Sequence, residues 1–554
     1  MGKEWLPQLA VAVTLLPLVL AAVHLLVRAG DYFPTGDLAA TELQVRDIGH
    51  HPVLVGLFSR DTWSHPGPLL FYVLAPFFWL TGGSSVGLLL GGLAINGAAI
   101  AGMAYIAHRR GGMPLLLCTL LGVGLLVRTF GADRVADPWV CYITVLPLGL
   151  MIFLTWSMMC GDGWALPWSV VVASFLAQTH VGFVPIAVPL LLWGAVWLVL
   201  ADRSSIRSTL RRFVLPAAGI GAVLWLLPLL DLVFSTPSNV GNIVRWFRDA
   251  DAGVRSPVNG WRLITGQFGL RPEWLIGKLP CAFPACEAPF TFRAPFPWLL
   301  AVAALAAVVL WRRVPDSRGM LATLGLTMLL GIVAIGRTIG PIIDYRYYWT
   351  WIPAMVAFVL TLWAGWVAVT GRWPDAGPRV LLPLALCGLV GVTLANIVGV
   401  ATAGIPREVD ARITRMLTPG VVAALEDLGE GTDGQVVFVY PYGGGQWWAR
   451  GLMVQLEERG YDVRVDRGTD VLGDHRFADD GPERARFAML VNDGVLGGLR
   501  NPNLQVVAQW RTPYSEAQMS GAADVPDGAG FDVNGMYGDV GARRVGVFLI
   551  LDDT

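Results

Sequence analysis

Charge is what this chain of 554 residues has least of. Lys, Arg, Asp and Glu together make up 15% of it, against 55% hydrophobic residues, and the mean hydropathy is +0.57. That balance excludes both a soluble globular chain and a disordered one. A formal net charge of -1 and the lack of any basic run exclude a nucleic-acid partner. Cysteine is scarce, and four of the six, Cys118, Cys141, Cys160 and Cys387, sit in or at the ends of apolar runs, where they read as small fillers. Cys281 and Cys286, in CAFPAC, stand outside such runs, either paired in an oxidising compartment or as two free thiols. No HExxH and no Cys/His cluster marks a metal site. No small-residue cleavage site follows the first apolar run, which therefore reads as an uncleaved anchor.

What the chain has is apolar runs near the ~20 residues that cross a bilayer. They lie at 6–27, 85–107, 113–130, 138–159, 165–180, 183–201, 213–234, 297–311, 320–337, 347–370 and 380–402, about eleven spans of a polytopic α-helical membrane protein. A further stretch, 68–80, is ambiguous in length. Cytoplasmic loops collect Arg and Lys, and this settles it. If 68–80 is a surface helix, every basic hinge falls on one side: Arg109 and Arg110; Arg203, Arg207, Arg211 and Arg212; Arg312, Arg313 and Arg318; Arg372 and Arg379. The amino terminus is then cytoplasmic. The loop 28–84, the loop 235–296 and the carboxyl-terminal region are then outside, on a multi-pass protein of the cell membrane whose immediate partners are membrane lipids.

The same topology sorts the polar residues at the span ends. Arg128, Asp133, Arg134, Asp137, Gln178, His180, Asp231, Arg337, Asp344 and Arg346 all come to the outer side, together with the ionisable loop 32–68. A mixed acid, base and histidine set on one face is what a polar cavity open to that face requires. From about 406 the character changes to an amphipathic helix, 409–428, and then strand-like runs (QVVFVYP, DVRVD, RFAMLVND, LQVVAQW, RVGVFLILDD) with a helix at 447–459. The expected organisation is a membrane domain, 1–405, and an extracytoplasmic α/β domain, 406–554.

Three motifs carry a resemblance. TGDLAATEL at 35–43 follows the first span, SHPGPLLFYVLAPFFWLTG at 64–82 forms the surface helix, and DRVADPWV at 133–140 opens the fourth span. In these the chain resembles the GT-C superfamily of membrane glycosyltransferases, which use polyprenyl-phosphate sugars, and within it the ArnT and protein-mannosyltransferase branch. The fourth-span motif departs from that branch in spacing, reading R-x-x-D-P, and Gln178 and His180 replace its Lys-Gly-Pro. The resemblance implies a GT-C-like membrane domain and transfer of a sugar, arabinose, mannose or another, from a polyprenyl-phosphate donor to a glycan, lipoglycan or protein acceptor.

It also matches the chemistry of the residues. Transfer needs a carboxylate to take the acceptor proton and cations to stabilise the departing phosphate. Asp37 is the leading base, with a helix cap as its alternative role; Asp137 is a second catalytic candidate, acting through a divalent ion or by orienting an Arg, or else a helix cap. Arg128, Arg134, Arg337 and Arg346 are candidate phosphate clamps, and Glu42, His65, Gln178, His180 and Tyr347 complete the candidate substrate site. A lipid or solute transporter or flippase would place its charges at the bilayer midplane in two related halves. Here they stand at the span ends, and no internal repeat is visible.

Overall fold

The computed structural model describes residues 5–28, 30, 32–59, 63–201, 206–249, 256–276, 297–339, 344–429, 433–439, 445–466, 472–511 and 544–551. Cys281 and Cys286 lie outside them. Each of the eleven apolar runs contains a helix. Helix α1 spans Leu6–Val27, α2 Gly36–Asp47, α3 Leu69–Leu80 and α4 Val86–Phe130. Among the described residues, six helices are long and apolar enough to cross a membrane, or seven if the pair Ile206–Leu224 and Leu226–Phe234, bent by 50°, is one span. The helices Val145–Met159 and Ala165–Thr179 have 15 residues each, or about 22 Å, and fall short of a full crossing. The sequence places the fourth span at 138–159, but its first turn and a half, Trp139 to Thr144, is a set of tight turns instead.

Helix α4 runs to 45 residues, about 67 Å at 1.5 Å per residue, twice a bilayer core. It is broken at Gly112, whose φ of 62° and ψ of -157° lie in a region that essentially only glycine occupies. The two arms fold back on one another. Asn96 donates to the Val135 carbonyl (2.8 Å), and Phe130 packs on Tyr142 and Trp351, so both ends reach the same end of the bundle. At the other end Arg109 and Arg110 pair with Asp162. Arg110 also reaches Asp316 (3.6 Å), Phe213 lies against Gly163 and Arg313 against Gly371. The basic hinges therefore gather at one end, and the polar span ends at the other.

At 12 residues, or about 18 Å, α3 is too short to span. It buries Leu70, Phe71, Leu74, Ala75 and Phe78 and exposes Trp79 and Leu80, the i, i+3/i+4 spacing of a helix lying on a surface.

Among the described residues, the carboxyl-terminal region forms a five-stranded sheet in the order β2-β1-β3-β5-β4: β1 Gln435–Val439, β2 Asp462–Val465, β3 Glu483–Val491, β4 Leu504–Arg511 and β5 Arg544–Ile550. β1 pairs in parallel with β2 and β3, while β5 runs antiparallel to β3 and β4. The unbroken apolar run of β1 suits a central strand covered on both faces, and Val436, Val437 and Phe438 are fully buried. The helices Glu408–Asp427 and Gly445–Glu457 pack on this sheet, and the second of them also lies along α2. The approach is close. A Cβ at Gly36 (φ +53°) would stand 2.5 Å from the Trp447 ring, and one at Gly451 2.5 Å from the Pro34 carbonyl. The sheet domain is thus seated on the helix that follows the first span.

Candidate active site

Between α2, the span ends and the sheet domain lies a cavity of about 830 Å³. The loop after α2 forms one wall. It turns back on itself, with the Gly56 amide donating to the His65 carbonyl and the His65 amide to the Leu57 carbonyl, both at 2.9 Å. Asn239 pins it from the start of the helix Asn239–Asp249, which follows the bent span: its side chain accepts from the Ser64 amide and donates to the Ser64 carbonyl at 2.9 Å each. The Asn239 amide in turn donates to Asp231 (2.9 Å). His65 is buried, its ring 4.7 Å from that of His180, and its Nδ1 accepts from the Val181 amide (3.4 Å). Burial, with His180 and the Arg346 guanidinium nearby, holds the His65 imidazole well below its ordinary pKa.

Asp37 stands on the cavity wall in the first turn of α2. It does not cap the helix, whose N-cap is Thr35 without a side-chain cap bond. Instead its two oxygens are held by donors from distant segments: Trp139 Nε1 donates to Oδ2 (2.8 Å) and Arg450 Nη1 to Oδ1 (2.9 Å). Arg450 belongs to the helix Gly445–Glu457, so the sheet domain supplies half of this constellation.

Asp37, His65, His180, Arg337, Arg346 and Tyr347 all line the cavity. Asp137 does not. Its Oδ1 accepts from the Trp139 amide (3.0 Å) and its Oδ2 from Arg407 Nε (3.0 Å), so it closes the turn that presents Trp139 and anchors an arginine. Arg407, in a left-handed conformation (φ 56°), lies over the Trp139 and Trp447 rings. The other candidates also point elsewhere. Glu42 is fully buried and bridged to Arg46 (2.6 Å); burial outweighs that partner and pushes its carboxyl up to about 7. Arg128 is exposed beside Asp133 and Asn396 in a separate small pocket. Arg134 donates to the Phe130 carbonyl (3.1 Å). Gln178 is buried, donates to the Leu224 carbonyl (2.8 Å) and packs on Gly67.

Sequence reasoning missed Arg407, Trp447 and Arg450, which lie 270 or more residues from their acidic partners or beyond the last span. The one local signal was the helix opening after the glycine run at 443–445, GQWWAR. Among the described residues, the charged groups lining the cavity are one carboxylate and three arginines, Arg337, Arg346 and Arg450, set among indole rings of Trp63, Trp139, Trp246, Trp349 and Trp447. A cationic, aromatic-walled cavity with a carboxylate at its edge suits a ligand that is anionic at one end and has a hydroxylated or apolar body.

No protein-family model matches the sequence, and no curated protein is significantly similar to it. Among solved structures, ArnT from Cupriavidus metallidurans bound to undecaprenyl phosphate superposes with a TM-score of 0.55 at 14% identity, over 99% of this chain and 98% of that one. The same protein in its apo state gives 0.52 at 12% identity, over 96% and 97%. The chain therefore shares its fold with these structures, from the first span to the carboxyl-terminal sheet. The structures it is similar to are those of ArnT.

Proposed function

We propose that the chain is a glycosyltransferase that moves a sugar from a polyprenyl-phosphate donor to a hydroxyl of a cell-envelope acceptor at the outer face of the cytoplasmic membrane. The observation that carries this reading is Asp37 on the wall of a cavity whose other charged groups are arginines. The ArnT-like fold, and the undecaprenyl phosphate bound in that relative, support it.

In this reading Arg337 and Arg346 face the donor phosphate, whose negative charge grows as the bond to the sugar breaks. The Asp37 carboxylate takes the proton of the acceptor hydroxyl, and that oxygen attacks the anomeric carbon. The carbon–oxygen bond to phosphate breaks with its electron pair leaving on the polyprenyl phosphate. A single displacement of this kind inverts the anomeric centre. Trp139 and Arg450 position the carboxylate, and the indole rings give the sugar flat apolar faces to rest on. Asp137 acts at one remove, by fixing Trp139 and Arg407.

The test is to purify the full chain, identify by mass spectrometry the lipid-linked sugar it retains, and supply that lipid with envelope glycans. Release of polyprenyl phosphate with a new glycosidic bond supports the proposal. A chain that binds the lipid and moves it between leaflets without cleaving it would overturn it. The outer-face assignment is read separately, from protease access to a tag after Thr554 in intact cells.

A further inference from the structure

At the opposite end of α2 from Asp37, three side chains of metal-ligating type meet from three segments. Asp47 closes α2, His51 lies in the loop after it, and His475 stands in the short turn Asp474–Arg476 of the sheet domain. Their ligand atoms all lie within 4.8 Å of one another. His475 Nε2 is 3.1 Å from Asp47 Oδ1, yet it is buried and makes no hydrogen bond there, a costly state for a polar atom unless something else satisfies it. The His51 and His475 rings stack with centroids 3.7 Å apart and planes 8° from parallel. Imidazole lone pairs lie in the ring plane, so the exposed His51 ring must turn out of the stack for both nitrogens to face one ion.

The surroundings hold the carboxylate in place. Asp47 Oδ2 accepts from Arg476 Nη1 (2.6 Å), and Arg476 Nε donates to Glu457 (2.8 Å), leaving Oδ1 turned toward His475. Outer partners of this kind orient metal ligands. Nearby cations are engaged elsewhere, Arg46 with Glu42 and Glu458 and Arg464 with Asp462. The adjoining pocket, about 330 Å³, leaves room for water on the remaining coordination positions.

We propose that Asp47, His51 and His475 bind a divalent transition-metal ion of the zinc class, which staples the sheet domain to α2. Two imidazole nitrogens and one carboxylate oxygen favour zinc and its neighbours over magnesium or calcium, which take oxygen ligands. Bonds of about 2.0–2.2 Å need ligand atoms no more than about 4.4 Å apart, and His51, exposed on its loop, is the ligand with freedom to close that gap. Ten residues of helix, about 15 Å, separate Asp47 from Asp37, so the ion touches no reacting atom. It positions the domain that carries Arg450, and the proposal stands whether or not the chain transfers sugars.

The experiment titrates zinc(II) into full-length protein, freed of any affinity tag and stripped with a chelator, in competition with a chromophoric zinc chelator. One equivalent should bind and calcium should not displace it. His51→Ala and His475→Ala should each weaken binding by at least the ~10–100-fold that loss of even an outer partner brings. His50→Ala, a neighbouring imidazole outside the cluster, should bind as the native chain does. If His475→Ala fails to fold, His51→Ala decides, because its ring is exposed. Absence of zinc binding in the native chain, or equal losses in His50→Ala and His51→Ala, would overturn the proposal.

Discussion

The contact between Asp37 and Arg450 links the membrane helices to the sheet domain, and a double-mutant cycle measures it. The guanidinium donates at 2.9 Å, and the two side chains are 8% and 14% exposed. A charge-assisted hydrogen bond contributes about 1.5–3 kcal/mol, and breaking a fully buried pair costs about 3–5 kcal/mol. Asp37 opens onto the cavity, where water can replace part of what is lost. The expected coupling between Asp37→Asn and Arg450→Gln is therefore about 2 kcal/mol, read by denaturant titration of the full chain in mixed micelles. Turnover in the same four proteins should divide differently. Asp37→Asn removes the proton acceptor and should slow transfer by ~10²-fold or more. Arg450→Gln leaves the acceptor but loosens it, for a loss of about 10-fold, or 1.4 kcal/mol. The double variant should be no slower than Asp37→Asn, since a base that is gone cannot be misplaced. Stabilities that add to within ~0.5 kcal/mol would refute the ion pair, and unimpaired transfer by Asp37→Asn would refute the assignment of the base.

Three further outcomes are expected. Arg337→Gln and Arg346→Gln should each weaken binding of polyprenyl phosphate by roughly 10-fold through loss of a charge-assisted contact, measured by fluorescence titration, while Asp37→Asn keeps native affinity. Gly112→Ala should destabilise the chain by about 1–3 kcal/mol, because an alanine is strained at that backbone conformation; an unchanged unfolding midpoint would show that α4 does not reverse there. Burial depresses the His65 imidazole in the folded chain, while the unfolded chain takes up a proton at this group below about pH 6.5, so stability should fall as pH drops from 7 to 5. His65→Gln should flatten that slope in thermal-melt profiles.

The eleven apolar runs were legible because a bilayer demands length and hydropathy, which one sequence displays directly. The central strand was legible for a related reason: Val436 to Phe438 are buried on both faces and read as an unbroken apolar run. Asp37 stood out because an acid just past a span is locally conspicuous. Its partners did not, since neither Trp139 nor Arg450 is unusual among its own neighbours, and they meet Asp37 across 102 and 413 residues. Asp137, Glu42 and Gln178 have the right residue types on the right face, but one turn of backbone decides whether a side chain faces a cavity or a neighbouring helix. Periodicity alone did not resolve that turn. The cluster of Asp47, His51 and His475 is invisible in sequence for the same reason: its third member comes from the sheet domain.

The seating of the sheet domain on α2 also imposes an order in time. Asp37 is made early and Arg450 follows 413 residues later, roughly 20–80 s at the usual pace of synthesis. During that interval the helices can enter the bilayer and α2 can form, but one wall of the cavity does not yet exist. A nascent chain is thus without a complete cavity until the sheet domain has been made and has docked, and a ribosome that stalls before residue 450 leaves behind embedded helices whose Asp37 lacks its Arg450 partner.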